Sequence, residues 1–391
     1  MDMHKHEKEL GNDTFSYTAH MGLVYMFIEV KKEVDQDIFI DPPEGVPPSD
    51  YKFTVDTWSQ DEALRSWISA LGQNAHYAHV IQTRQFRTCV FSLTVSGRTA
   101  RIMYWERAGV LVTKAFDYKT NPDILAEFVW RFINANRVQQ GFDPTAVAVD
   151  SEEDRTSFLQ AIGSHVQLQL SLDPETDKEG LDRGVDKHYY HGILTRLMVE
   201  DRSFWVSRPL VQSHAIAGRC TAGYWAVRCD TRDVVFVKDV WRANAKNVEL
   251  EGDILNHLQD KGVEHIPTVL CHGDATHEGL NFIDHTVRLF TLFGVGTPMT
   301  TRLDTFADQP WVKSLHPDDD RLRKVAPRVH YRLVTNIAGY PLSTFEGSRE
   351  LLKATFDGFT SRKALSQLVW HLQYSFCSSD RRARKGRHSP S

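Results

Sequence analysis

The sequence predicts an α+β protein in two parts, and three observations carry that prediction. Short apolar runs with strand-like character recur along the chain, from 23–30 to RVHYRLVTNIAG near its end. Between them stand segments with apolar residues at helical spacing. A charged stretch, SLDPETDKEGLDRGVDKH at 171–188, is almost free of large apolar groups and separates an N-terminal set of elements from a C-terminal set. The expected organisation is a flexible N-terminus (1–19), a mixed α+β domain (20–165), a charged linker (166–190), a second domain (191–370) and a disordered basic tail (371–391).

Taken in order, 23–30 reads as a strand, and the prolines at 42, 43, 47 and 48 mark a loop. In DEALRSWISAL, Leu64, Trp67, Ile68 and Leu71 fall at i, i+3, i+4 and i+7, which predicts an amphipathic helix over 61–72. FRTCVFSLTV, TARIMYWE and VLVTKAFDY, separated by Ser96-Gly97 and Ala108-Gly109, predict a three-stranded antiparallel meander. Asn121 before Pro122 reads as a helix start, with the Asn side chain as cap and Ile124, Leu125, Phe128, Val129, Phe132 and Ile133 as the buried stripe. Beyond the charged stretch, strands are expected at 192–199, 204–206, 213–217, 223–228 and 233–238. A helix follows at about 244–259, 274–325 is irregular, RVHYRLVTNIAG is a buried strand and SRELLKATFDGF is a helix.

Composition removes several function classes. Hydrophobic residues make up 41% and charged residues 25% of the 391, ordinary globular usage. A net charge of −5 supplies no global basic field for nucleic acid. The five cysteines form no C-x-x-C pair, which argues against zinc ribbons and disulfide frameworks and for a reducing compartment. The N-terminus lacks the order of a signal peptide, and MGLVYMFIEV is far short of a membrane helix. The expectation is an intracellular, cytoplasmic protein without membrane or nucleic-acid partners. The tail DRRARKGRHSPS, with five Arg or Lys against one Asp, is consistent with nuclear import.

The most informative stretch is 213–258. A Gly-containing turn, AGRCTAGYWAV, lies between two strands, and backbone N–H groups in such a turn can cover phosphates. Val234, Val235, Phe236 and Val237 then lead to Lys238, a cation that is costly at the end of a buried strand unless something negative meets it. On a helical wheel over 244–259, Glu251 falls within the stripe formed by Val248, Ile254, Leu255 and Leu258, while Glu249 faces away. Glu251 is therefore the expected partner of Lys238, whether as a structural ion pair or as part of a site.

A phosphate-covering turn, a strand ending in Lys and a helix carrying Glu follow one another as in a protein-kinase N-lobe. GRCT, VVFVKDVWR, ELEGDILNHLQDKGVEHIP and HYRLVTNIAGYPLSTF, with the upstream FIEVKKEVDQDIF, YWERAGVLVTKAFDY and EFVWRFINANRVQQGFDPT, resemble the fungal-type protein kinase family over most of 20–360. The resemblance implies that 191–370 is a kinase-like N-lobe with an interlobe stump. It also implies that Lys238 grips the nucleotide phosphates, that Glu251 orients it, that Gly218, Thr221 and Gly223 form the glycine-loop region, and that the hinge backbone near Asn336 and Ala338 holds adenine. Two departures stand out. Cys220 occupies a position where the family tends toward glycine. No H-R-D catalytic loop and no D-F-G metal segment occurs in the 391 residues. The expectation is therefore a kinase domain truncated before its helical C-lobe, catalytically inactive, with ATP held weakly and no Mg²⁺ ligands. The alternative is a pseudokinase scaffold that binds a protein partner through an exposed interlobe surface including Val334, Leu342, Leu351 and Leu352.

Two weaker signals remain. Glu29-Val30-Lys31 puts Glu and Lys on one strand face, as in restriction-type nucleases, with Asp13 as the upstream acid; a cross-strand ion pair explains it as well. His76-x-x-His79 and His188-x-x-His191 each offer two metal ligands without a third at zinc-site spacing.

Overall fold

The computed structural model describes residues 21–33, 37, 39–41, 43, 62–173, 175–244, 248–277, 297–302, 327–340, 347–349 and 351–361. The fold is α+β and divides into two compact units, Met1–Trp105 with Val110–Phe142, and Glu106–Gly109 with Asp143–Ser391. Both predicted termini, Asp13 and Leu342 lie outside the described residues.

The first unit holds β1 (Phe27–Lys31), α1 (Glu62–Arg84), β2 (Cys89–Ser96), β3 (Thr99–Glu106), β4 (Gly109–Val112), β5 (Phe116–Asp117) and α2 (Pro122–Asn134). The strands form one sheet in the order β1-β2-β3-β4, with β5 also on β3 and β1 parallel to β2. The expected meander is therefore present, and α1 extends well past the predicted 61–72. Glu29 and Lys31 do share a face, but they pair with each other along β1 at 2.6 Å rather than across strands. Helix α2 departs from its predicted stripe. Phe128 and Phe132 pack on Phe91, whereas Ile124, Trp130 and Ile133 are exposed and no residue of the helix is buried. Asn121 makes no side-chain cap; its amide donates to the Thr120 hydroxyl instead, at 3.1 Å.

The second unit contains β6 (Ala146–Ala148), α3 (Glu152–Leu170), α4 (Lys178–Asp186), β7 (Thr195–Val199), β8 (Arg202–Val206), β9 (Val211–Gln212), β10 (Ala222–Arg228), β11 (Val234–Ala243), α5 (Glu251–Asp260), β12 (Val269–Asp274), β13 (Thr276–His277), β14 (Thr297–Pro298) and β15 (Arg328–Thr335). A last helix, α6, covers 351–361. The stretch 166–190 is not a linker: it holds the end of α3 and all of α4, packed together. Ser151 caps α3 by accepting from the Asp154 N–H at 3.2 Å, and Glu152, Glu153 and Asp154 occupy the first turn. The acidic run is thus a helix start, where negative charge meets the positive end of the dipole. Phe158, Ile162 and Val166, at i, i+4 and i+8, are its fully buried face.

The large sheet runs β12-β15-β11-β10-β8-β7-β6, with β9 also on β10. The predicted strand at 213–217 is instead part of the turn between β9 and β10. Residues opposite one another in antiparallel pairs point to one face. Gly223, Lys238 and Leu333 therefore share a face, as do Trp225, Phe236 and Thr335. Along β11 burial alternates accordingly, with Val235, Val237 and Asp239 sealed on one side and Val234, Phe236 and Lys238 half-buried on the other.

Candidate nucleotide-grip site

Lys238 and Glu251 meet. The ammonium donates to both carboxylate oxygens at 2.6 Å. The pair is not deeply buried, with 23% and 39% of the two side chains exposed. The helical-wheel argument reached the right partner from a wrong premise. Helix α5 begins at Glu251, so Val248 lies outside it and is exposed, as is Ile254. Glu251 and Asp253 stand in the first turn, where the helix dipole favours a carboxylate whether or not a cation is near.

Two contacts fix the start of α5 against the sheet. The Gly252 N–H donates to the Tyr331 hydroxyl at 2.9 Å. The Gly252 Cα also faces the His272 ring so closely that a Cβ there would lie 2.1 Å from Cγ. Burial pushes the Tyr331 phenol above its ordinary pKa, so it stays an uncharged acceptor. Val240, Tyr331 and Leu333 form the apolar floor on which Leu250 and Leu255 pack. The Lys238–Glu251 distance is thus set by the packing of α5 and not by the ion pair alone.

The turn between β9 and β10 closes where the Ser213 N–H donates to the Thr221 carbonyl, at 2.9 Å. Gly218 and Cys220 both take positive φ, 104° and 43°. Cys220 therefore adopts the conformation that suits glycine. Its thiol donates to the Ala215 carbonyl at 3.3 Å and contacts the buried Arg107. Desolvation raises the Cys220 thiol pKa, only partly offset by Arg107. The Gly218 N–H is engaged by the Arg107 carbonyl at 2.7 Å, and the Trp241 N–H donates to the Arg219 carbonyl at 2.8 Å.

Asn336 and Ala338 lie past the other end of the face. The Asn336 N–H donates to the Thr268 carbonyl at 3.0 Å, and its side-chain oxygen accepts from the Thr268 N–H at 2.9 Å. The Ala338 carbonyl is paired with His165 Nε2 at 2.7 Å and the Gly339 carbonyl with Trp225 Nε1 at 3.3 Å. Lys238 and Glu251 are thus together, with Gly223 opposite Lys238, the turn residues toward the Asp239 end of β11 and the hinge residues toward its Phe236 end. For a nucleoside triphosphate the fit is uneven. The phosphate end offers a half-exposed ammonium held in place, whereas at the base end two hinge carbonyls already have partners in the chain.

Sequence reasoning missed the opposite face. Asp239 accepts from Arg332 Nε at 2.9 Å and pairs with His330 Nε2 at 2.7 Å. The same guanidinium reaches Asp143 at 2.5 Å and Thr145 at 2.6 Å. All five residues are buried. Burial opposes ionisation of Asp239, yet its contacts with His330 and Arg332 hold the carboxyl well below its ordinary pKa. The signal was present as polar groups inside apolar strands: Asp239 next to Lys238, and His330 and Arg332 at alternate positions. Val334, expected on an exposed interlobe surface, is fully buried on this face. Among the described residues no group of three or more His, Cys, Asp or Glu side chains is placed to hold a metal. None of their helices is long and apolar enough to cross a membrane.

No curated protein and no solved structure matches the chain. A sequence-family model described as fungal protein kinase matches residues 54–373, which takes in most of both units and every residue of the Lys238–Glu251 site. The chain belongs to the fungal protein kinase family.

Proposed function

We propose that the second unit is the nucleotide lobe of a protein kinase, that Lys238 braced by Glu251 is its phosphate grip, and that these 391 residues do not transfer phosphoryl groups on their own. The observation that carries the reading is the two-pronged 2.6 Å contact between Lys238 of β11 and Glu251, the first residue of α5, beside a turn with a positive-φ glycine. The sequence supports the second half: it contains no His-Arg-Asp segment to receive a hydroxyl proton and no Asp-Phe-Gly segment to hold Mg²⁺. ATP is then held weakly, in the range of about 1 mM, because the grip supplies charge without a closed pocket. Labelled ATP, Mg²⁺ and generic protein substrates should give no transfer above a Lys238→Met control. Lys238-dependent transfer would reverse the reading. In a thermal-shift titration, micromolar ATP should leave the melting temperature unchanged.

A second reading, a scaffold that binds a protein partner, is favoured by one feature of α6. Leu352, Phe356 and Phe359 are exposed and fall at i, i+4 and i+7. Sedimentation of wild type against Phe356→Glu and Phe359→Glu tests it: the apolar face should promote concentration-dependent association, and the charged variants should suppress it.

A further inference from the structure

The face that carries Lys238 runs from the turn at one end to the hinge at the other, and the register defines what lies between. Trp225 and Phe236 are the next pair along from Gly223 and Lys238, on the same face and toward the hinge. Phe236 lies directly over Gly223, where an added Cβ would come within 2.6 Å of its ring, so the room a glycine leaves above β10 is taken. Trp225 is fully buried, and the His188 imidazole lies parallel to it, 3.9 Å between ring centres and 8° between planes. His165 meets the same indole edge-on at 4.7 Å, and Tyr340 meets it at 4.7 Å. His165 and Trp225 hold the carbonyls of Ala338 and Gly339, and His188 Nε2 reaches the Tyr340 hydroxyl at 3.3 Å.

A flat nitrogen heterocycle, stacked at van der Waals distance on an indole and bonded to the residue after the hinge glycine, is the arrangement a nucleotide base would make there. We infer that His188 is an internal stand-in for the base, so that the chain closes its own base site while leaving the Lys238 end open, and that a nucleoside enters only when the α3–α4 segment withdraws. This rests on reading Lys238 and Glu251 as the phosphate grip. The His188 ring is fully buried, and Nε2, bonded to the Tyr340 hydroxyl, is the ring nitrogen with a hydrogen-bond partner among the described residues.

Adenosine and tripolyphosphate, titrated separately into the full chain, separate the two ends. Wild type should show no saturable adenosine binding. His188→Ala should bind adenosine at least about tenfold more tightly, the fold-change one base stack supplies. His165→Ala, at a half-buried position of α3, frees the Ala338 carbonyl and should move the same way. Saturable adenosine binding by wild type with α3 still in place would overturn the inference, as would two variants that fold, by circular dichroism, and bind no better. Hydrogen exchange on wild type gives an arm without variants. Any protection that high adenosine brings to 336–340 must come with lost protection at 158–166, and protection of both would refute the stand-in. Tripolyphosphate judges the grip alone. If Lys238→Met binds it as well as wild type, the grip falls while the adenosine results still decide the base site.

Discussion

Lys238 and Asp239 are neighbours on one strand and serve opposite faces of the sheet. Lys238 shares its charge with one carboxylate and keeps part of its surface in water. Asp239 sits among Arg332, His330 and, through Arg332, Asp143, with every member sealed. Both are ion pairs in apolar strands, but the physics differs. A charge removed from a sealed network leaves uncompensated partners that cannot reach solvent. At a half-open pair the remaining partner rehydrates at little cost. The sealed face therefore carries stability, and the open face is free to carry a ligand.

Arg332→Met tests that difference most severely. It strands Asp143 and Asp239 in the interior and should cost about 3–5 kcal/mol in chemical denaturation. Lys238→Met should cost no more than about 1 kcal/mol, since Glu251 stays at the start of a helix with access to water. The placement of Glu251 within an apolar stripe, expected from the sequence, implies a larger cost than its half-exposed position at the start of α5 does. Equal costs for the two substitutions would break the comparison.

Acid should act next, through the base stand-in. Burial lowers the His188 pKa from 6.5 to about 3, with His165, Lys187 and Arg208 adding like charge in the same direction. Tyr340, the other titratable group against its ring, stays uncharged because burial raises its pKa. A depressed imidazole contributes stability that is fully present above pH 6.5 and is lost as the pH falls toward 3, at about 1.4 kcal/mol per unit for one proton. Melting temperature against pH should therefore slope below 6.5, and His188→Phe, which keeps a flat ring on Trp225, should flatten the slope. Asp239, whose carboxyl pKa is lowered below 3.8, adds its own loss only in stronger acid. A wild-type profile that is level down to pH 4.5 would sink the assignment.

Gly252→Ala sharpens the comparison from the open side. The new methyl meets the His272 ring, so α5 must shift, at about 1–3 kcal/mol. The shift moves Glu251 away from Lys238 while the sealed network is untouched. Tripolyphosphate binding should fall with stability reduced, whereas Arg332→Met should reduce stability without a grip-specific loss in the fraction that remains folded.

Much of this was legible in the sequence, and the limits have physical causes. β7, β8, β10, β11 and β15 announced themselves by apolar runs, and Lys238 by being a charge that such a run cannot bury alone, whereas β9 and β12 to β14 did not. Helix α3 was not anticipated, although Ser151 before three acids is a cap signature. Helix α4 hid because a short helix packed on one side needs few large apolar residues. The sealed network and the His188–Trp225 stack bring together residues far apart in the chain, and no local spacing encodes such contacts. Glu251 shows the reverse: the contact was foreseen, while the helix start that makes it half-exposed was set by tertiary packing at Gly252 and Tyr331.

The smallest expected effect lies at Cys220, and it isolates backbone from side chain. A non-glycine residue at φ 43° costs about 1–2 kcal/mol relative to a residue without a Cβ. Here the thiol returns part of that through the Ala215 carbonyl and Arg107. Cys220→Gly removes both the strain and the sulfur contacts, so its net effect on the melting temperature should be near zero. Cys220→Ala keeps the strain and loses the contacts, so it should be the less stable of the two by about 1 kcal/mol. If the alanine and glycine variants melt together, the turn carries no backbone strain at this position. Cysteine would then be as suited to the turn as glycine.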